Sequence, residues 1–91
     1  MYYALYYRTV DNYLEARVPF RQTHLEHATQ SHDRGELVMG GAFSEPADGA
    51  LLIFKTDDPN VVIEFAKNDP YVINGLIKDW NIRGWNVVIG D

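Results

Sequence analysis

The sequence contains no cysteine, which excludes disulfides, thiol nucleophiles and thiolate metal sites. That absence fits a reducing compartment, and the chain is expected to be cytoplasmic. Positive charge is scarce as well: eight basic residues stand against thirteen acidic ones, a formal charge of −5. The basic residues are scattered and form no patch, so a nucleic-acid partner is not expected. Long hydrophobic runs are missing. The aliphatic stretch Ala50-Leu51-Leu52-Ile53-Phe54 is far short of a membrane span, so no membrane association is expected. The first residues enter a strand-like pattern directly, without a basic segment ahead of an apolar one, so no signal peptide is visible.

Aromatic residues, by contrast, are abundant: six Tyr, four Phe and two Trp among 91 residues. A chain of this length makes one small domain, expected to span residues 1–91. Such a domain buries only about two-thirds of its unfolded surface, which limits its stability as a monomer. Tyr and Trp suit an interface or a pocket wall as well as a core. A homodimer is therefore expected.

Along the chain, Tyr2 to Tyr7 is apolar or aromatic at both alternating positions, as in a strand covered on both faces. Asp11 and Asn12 can cap a short helical segment through Arg17. Pro19 suits the first turn of a second helix, which runs to about Arg34 and ends at Gly35. Glu36 to Phe43 reads as a strand whose Gly40-Gly41 suggests close backbone approach or a bulge. Ser44 to Gly49 has turn composition, and Ala50 to Thr56 is a further strand. Asp57-Asp58-Pro59 opens a helix to about Asn68, with Val62, Phe65 and Ala66 on one face. Asp69-Pro70 starts a short helical turn to about Gly75. The tail from Leu76 to Ile89 alternates as a strand, most clearly at its end. This order is β-α-β-β-α-β with an extra short helix before the last strand, the ferredoxin-like α+β plan.

His24 is the residue that best suggests chemistry, because imidazole titrates near neutral pH and a carboxylate can fix its tautomer. It shares a stripe with Arg21, Leu25 and Ala28 on the helix from Pro19. On the residues alone, a satisfied structural histidine is the stronger reading. Asp69, before Pro70, reads as a helix N-cap, which leaves a second carboxylate oxygen able to orient a histidine. Arg21 either clamps a substrate anion or pairs with Glu26 or a strand acid. Tyr71 either lines a pocket or packs the short helix. His27 and His32 lend the appearance of a metal cluster, but no nearby carboxylate completes a ligand set. Both are expected to be solvated, and neither a metal nor another cofactor is expected. Gly40-Gly41 lacks the helix start and lysine of a phosphate loop. Trp80 and Trp85 are expected in the core or an interface.

Taken in order, Met1-Tyr2-Tyr3, Arg21-x-x-His24-Leu25, Gly35-Glu36-Leu37, Gly40-Gly41 and Asn68-Asp69-Pro70-Tyr71-Val72 with Gly75 resemble the YciI-like (YCII-related) family over essentially the whole chain. The resemblance implies a ferredoxin-like domain whose sheets pair into a dimeric α+β barrel. It also implies a catalytic His/Asp pair, carried here by His24 and Asp69, and shifts the reading of His24 toward catalysis. Arg21, Tyr71 and Gly41 are then the expected substrate contacts. A related enzyme eliminates chloride from a hydroxylated ring, so a lyase- or isomerase-type proton transfer on a small anionic or phenolic metabolite is the implied activity. Two positions depart from the family pattern: Ala42 stands where proline often follows the paired glycines, and Gly49-Ala50 where Gly-Ser often opens the third strand. The alternative is a non-catalytic small-molecule-binding or assembly module of the same fold, favoured by the lack of any further nucleophile and of the family serine.

Overall fold

The computed structural model describes residues 1–90. Its elements are β1 (Tyr2–Thr9), α1 (Tyr13–Ala16), α2 (Arg21–Asp33), β2 (Leu37–Ala42), β3 (Gly49–Lys55), α3 (Pro59–Asn68), α4 (Pro70–Ile73) and β4 (Ile77–Trp85). All strand neighbours pair antiparallel, in the order β2-β3-β1-β4. This is the ferredoxin-like α+β arrangement expected from the sequence, with α4 as the extra short helix. Among the described residues, no helix is long and apolar enough to cross a membrane.

The two faces of the sheet differ sharply. On β1, Leu5, Tyr7 and Thr9 are buried while Tyr6 and Arg8 are exposed, the period-two alternation of a half-covered strand. Leu5 and Tyr7 join Leu52 and Phe54 of β3 against Val62, Phe65 and Ala66 of α3. The helices thus cover one face only, and the two-sided cover expected for Tyr2 to Tyr7 is met within one chain only on that side. The open face presents Tyr6, Met39, Leu51 and Trp85, all exposed. Trp80 instead packs on the core from the helix side.

Local chemistry explains most boundaries. The Asp58 side chain accepts a bond from the Asn60 N–H at 2.9 Å, and Pro59 follows it, giving α3 its capped start. Gly35 has φ +81 and ends α2 as expected, in a conformation that disfavours a side chain. The helix expected from Pro19 is divided. Val18–Phe20 forms a tighter 3₁₀ turn, and α2 begins only at Arg21. Asn12 sits at the start of α1, but its side chain makes no capping bond.

Two further expectations are corrected. The bulge lies between Leu37 and Met39, not at Gly40-Gly41. A close approach is present at Gly40, where a Cβ would stand 3.3 Å from Leu52 Cγ, but the tighter one, against backbone, lies at Gly49, where a Cβ would stand 2.7 Å from the Tyr7 carbonyl oxygen. Gly49 therefore lets β3 sit directly against the site-bearing part of β1. Strand β4 ends at Trp85, which pairs with Tyr2, the first residue of β1. Beyond it β1 offers no partner, and Val88 and Ile89 are exposed despite their alternating pattern.

Candidate functional site

Asp69 joins α3 to α4 and caps α4: its Oδ1 accepts the Tyr71 N–H at 2.9 Å. The residue is fully buried, so each carboxylate lone pair left unmatched would be costly. Two side chains supply the remaining bonds. His24, projecting from α2, has its Nδ1 2.8 Å from Asp69 Oδ1. The Tyr7 hydroxyl, from the centre of β1, donates to Asp69 Oδ2 at 2.8 Å. An ionised carboxylate can only accept, and here three donors converge on it. Against an ionised carboxylate Nδ1 of His24 is the hydrogen-bearing nitrogen, and in a neutral imidazole the lone pair is then on Nε2. Burial first, and then the charge and hydrogen bond of Asp69, push the Tyr7 phenol far above its ordinary value. Tyr7 stays a donor throughout the physiological range.

Ring contacts hold the imidazole in place. His24 stacks on Tyr71 with centroids 3.8 Å apart and planes 6° from parallel. Tyr13 meets Tyr71 edge to face at 5.7 Å. The Tyr71 phenol is pushed up to about 12, chiefly by burial and then by Tyr13, against an opposing pull from Arg17 and Arg21. The same helical turn thus provides the carboxylate that orients His24 and the ring that fixes its plane.

His24 and Tyr71 border a cavity of about 280 Å³, whose walls also include Arg21, Gly41, Ala50 and Leu52. An engineered cavity of about 150 Å³ holds benzene, so this one has room for a single substituted ring. The expected residues His24, Arg21, Tyr71 and Gly41 therefore meet around one space, with Asp69 behind His24. A Cβ at Gly41 would touch nothing within 4 Å, so packing alone does not require glycine there. Ala50 presents a methyl group where the family often has a hydroxyl.

Other expectations change. Arg21 makes no ion pair with Glu26, which accepts instead from Gln22. His27 is not solvated: it is half-buried, its Nε2 lies 2.9 Å from the Phe65 carbonyl oxygen, and its ring stacks on Phe65. His32 is exposed, but its Nδ1 lies 2.7 Å from the Leu37 carbonyl oxygen. The three histidines thus have three different partners. Among the described residues, no three His, Cys, Asp or Glu side chains are grouped to hold a metal ion.

Tyr7 and Arg17 escape a reading of the sequence. Tyr7 lies in the stretch Tyr2 to Tyr7, where every position is apolar or aromatic, so its alternation marks no polar role. Its partner is 62 residues away. Arg17 ends the short α1, and only the fold brings it to the same cavity as Arg21.

The model of the YCII-related domain family matches residues 1–86. Among solved structures, the chain is similar to 5-chloro-2-hydroxyhydroquinone dehydrochlorinase (TftG) from Burkholderia phenoliruptrix AC1100, solved in complex with 2,5-dihydroxybenzoquinone. The two share 20% identity with a TM-score of 0.80, over 94% of each chain. It is also similar to protein Atu4242 from Agrobacterium tumefaciens, at 15% identity and a TM-score of 0.52, over 91% of this chain and 89% of that one. At these identities the likeness is one of fold. No curated protein matches the sequence.

Proposed function

The chain belongs to the YCII-related domain family, and from that membership we propose that it is a small lyase-type enzyme that moves a proton on a hydroxylated ring. The observation that carries this reading is the 2.8 Å contact between His24 Nδ1 and the buried Asp69, beside a cavity with room for one ring. A neutral imidazole with its Nδ1–H committed to a carboxylate presents Nε2 as a base, and the carboxylate stabilises the imidazolium once the proton arrives. Asp69 is the orienting group, Tyr7 and the Tyr71 N–H fix Asp69 in turn, and Tyr71 holds the imidazole plane. Arg21, Tyr71 and Gly41 are the substrate contacts.

The elimination starts from a keto tautomer of the ring, in which the carbon bearing the leaving group has gained a proton and is tetrahedral. Nε2 removes the proton of a hydroxyl conjugated with that carbon, the released pair forms a C=O bond, the ring double bond shifts onto the tetrahedral carbon, and the leaving group departs with its own bonding pair. The proton passes from His24 to water. The similar fold of a dehydrochlorinase that acts on a chlorinated hydroxyhydroquinone supports this class of substrate.

A second copy of the chain is part of the same reading. Exposed Tyr6, Met39, Leu51 and Trp85 make the uncovered sheet face apolar, a surface that a homodimer formed by facing sheets would bury.

Two measurements test the activity. In deuterium oxide, the protein should catalyse hydrogen exchange at ring carbons of 1,2,4-trihydroxybenzene, followed by proton NMR. It should also release chloride from 5-chloro-2-hydroxyhydroquinone. His24→Gln should abolish both. Exchange and chloride release no faster than without protein, or unchanged in His24→Gln, would defeat the reading.

A further inference from the structure

The cavity beside His24 has an electrostatic asymmetry that the proton-transfer reading does not use. In a chain of net charge −5, its walls contain two arginines and no Asp or Glu. Elsewhere three cations are matched: Arg8 pairs with Asp79, Arg34 with Glu36 and Lys78 with Asp11. Arg17 and Arg21 have no carboxylate partner among the described residues. Lys55, Lys67 and Arg83 also lack one there, but none of the three borders the cavity.

The position of the two guanidiniums is set by the ring ladder of the site. Arg17 lies over the Tyr13 ring, 5.3 Å from its centroid, a cation–π contact that orders the side chain without neutralising it. Tyr13 in turn packs on Tyr71, and Tyr71 on His24. Arg17 and Arg21 border the same cavity as Tyr71, and the charges of both act on the Tyr71 phenol. Much of the remaining lining is aliphatic, including Leu25, Leu37 and Leu52. A planar guanidinium offers paired N–H groups that match the two oxygens of a carboxylate. An unmatched pair of them facing an otherwise uncharged cavity leaves a place for an anionic group of the ligand.

We propose that Arg17 and Arg21 together bind a carboxylate on the substrate, so that the site selects a hydroxylated ring carrying a carboxylate over the same ring without one. This assignment rests on the proposed proton-transfer site, since it places the carboxylate at one end of a ring whose other end faces His24. It adds Arg17 as a specificity residue and narrows the substrate class to aromatic or quinonoid hydroxy acids.

The test is calorimetric titration of the full chain at pH 7 and low salt with two ligands that differ only by the carboxylate, hydroquinone and 2,5-dihydroxybenzoate. Charge-assisted hydrogen bonds in a partly desolvated site should make the acid bind about tenfold more tightly or better. The advantage should shrink as ionic strength rises. Arg17→Gln and Arg21→Gln should each bring the Kd values of the two ligands closer together, by weakening binding of the acid more than that of hydroquinone. Because Arg17 also packs on Tyr13, Arg17→Lys serves as a second variant, and it should retain part of the advantage through its charge. Equal affinities for the two ligands, an undiminished preference in both Gln variants, or no binding of either ligand at millimolar concentration would each overturn the assignment. So would tighter binding of 2,5-dihydroxybenzoquinone, which is anionic through its ring oxygens alone. The outcomes separate this proposal from the one beneath it. An intact carboxylate preference without ring-hydrogen exchange defeats the proton-transfer reading only. Exchange without the preference defeats the carboxylate assignment only.

Discussion

Replacing Tyr7 with Phe removes one oxygen atom and tests the centre of the site. The hydroxyl donates to Asp69 Oδ2 at 2.8 Å, and both residues are essentially inaccessible to water. Phe preserves the ring, so packing against Leu5, Leu52 and Phe54 is unchanged and no cavity of consequence opens. The lost interaction is a hydrogen bond to a charged acceptor, worth about 1.5–3 kcal/mol, and water cannot readily replace it at a buried carboxylate. For a domain of this size, a loss of about 2 kcal/mol lowers the melting temperature by roughly 8–16 °C. Tyr3 is the internal control. It lies on the same face of β1 and packs against the same core, but its hydroxyl has no hydrogen-bond partner among the described residues. Thermal unfolding followed by circular dichroism should show a large decrease for Tyr7→Phe and a small one for Tyr3→Phe. Combining Tyr7→Phe with Asp69→Asn should give less than the sum of the two single effects, because the second change removes the charge that made the bond strong. If Tyr7→Phe unfolds no earlier than Tyr3→Phe, the Tyr7 hydroxyl does not support Asp69, and the account of how the carboxylate is held is wrong.

Further outcomes follow from the same geometry. In Asp69→Asn the amide oxygen should occupy the Oδ1 position, because an NH₂ there would face the Tyr71 N–H. The cap and the His24 tautomer should therefore survive while ring-hydrogen exchange falls about 10²-fold or more, and wild-type exchange rates in this variant would remove Asp69 from the mechanism. Stability should decline at high pH. The phenols of Tyr7 and Tyr71 are raised above 10.0 in the folded chain, Tyr71 to about 12, so above pH 10 the unfolded state releases protons that the folded state keeps. Their contribution is complete below about pH 10 and declines progressively above it, that of Tyr71 being lost as pH rises through about 12. Urea midpoints measured between pH 9 and 11.5 should fall, with a smaller decline in Tyr7→Phe, and flat or rising midpoints would contradict this. Sedimentation at micromolar concentration should show a dimer for the wild type. Leu51→Asp, on the uncovered sheet face, should yield a folded monomer, and a monomeric wild type would reject the facing-sheet assembly.

The sequence alone determined the element order, because its signals are local. Asp58-Pro59 and Asp69-Pro70 mark helix starts through a capping carboxylate and a proline that needs no N–H partner. Gly35 marks a helix end by its left-handed backbone, and Val62, Phe65 and Ala66 recur at helical spacing. Local signals also misled where pairing decides structure. Val87 and Ile89 alternate like a strand but lie beyond the first residue of β1, so no backbone remains for them to bond. Gly40-Gly41 invited a bulge, whereas the register shifts earlier and the tightest contact falls at Gly49. His24, Asp69, Arg21, Tyr71 and Gly41 could be named from residue type and family pattern. Their meeting around one cavity required the sheet and helices to be assembled. Only the tertiary structure identified Tyr7 as the second support of Asp69, placed Arg17 on the same cavity as Arg21, and turned His27 toward the Phe65 carbonyl. In an aromatic strand each hydroxyl looks alike until the register decides which one faces a buried carboxylate across the fold. The physical reason is that burial and long-range hydrogen bonds, not residue identity, decide which polar groups must find a partner.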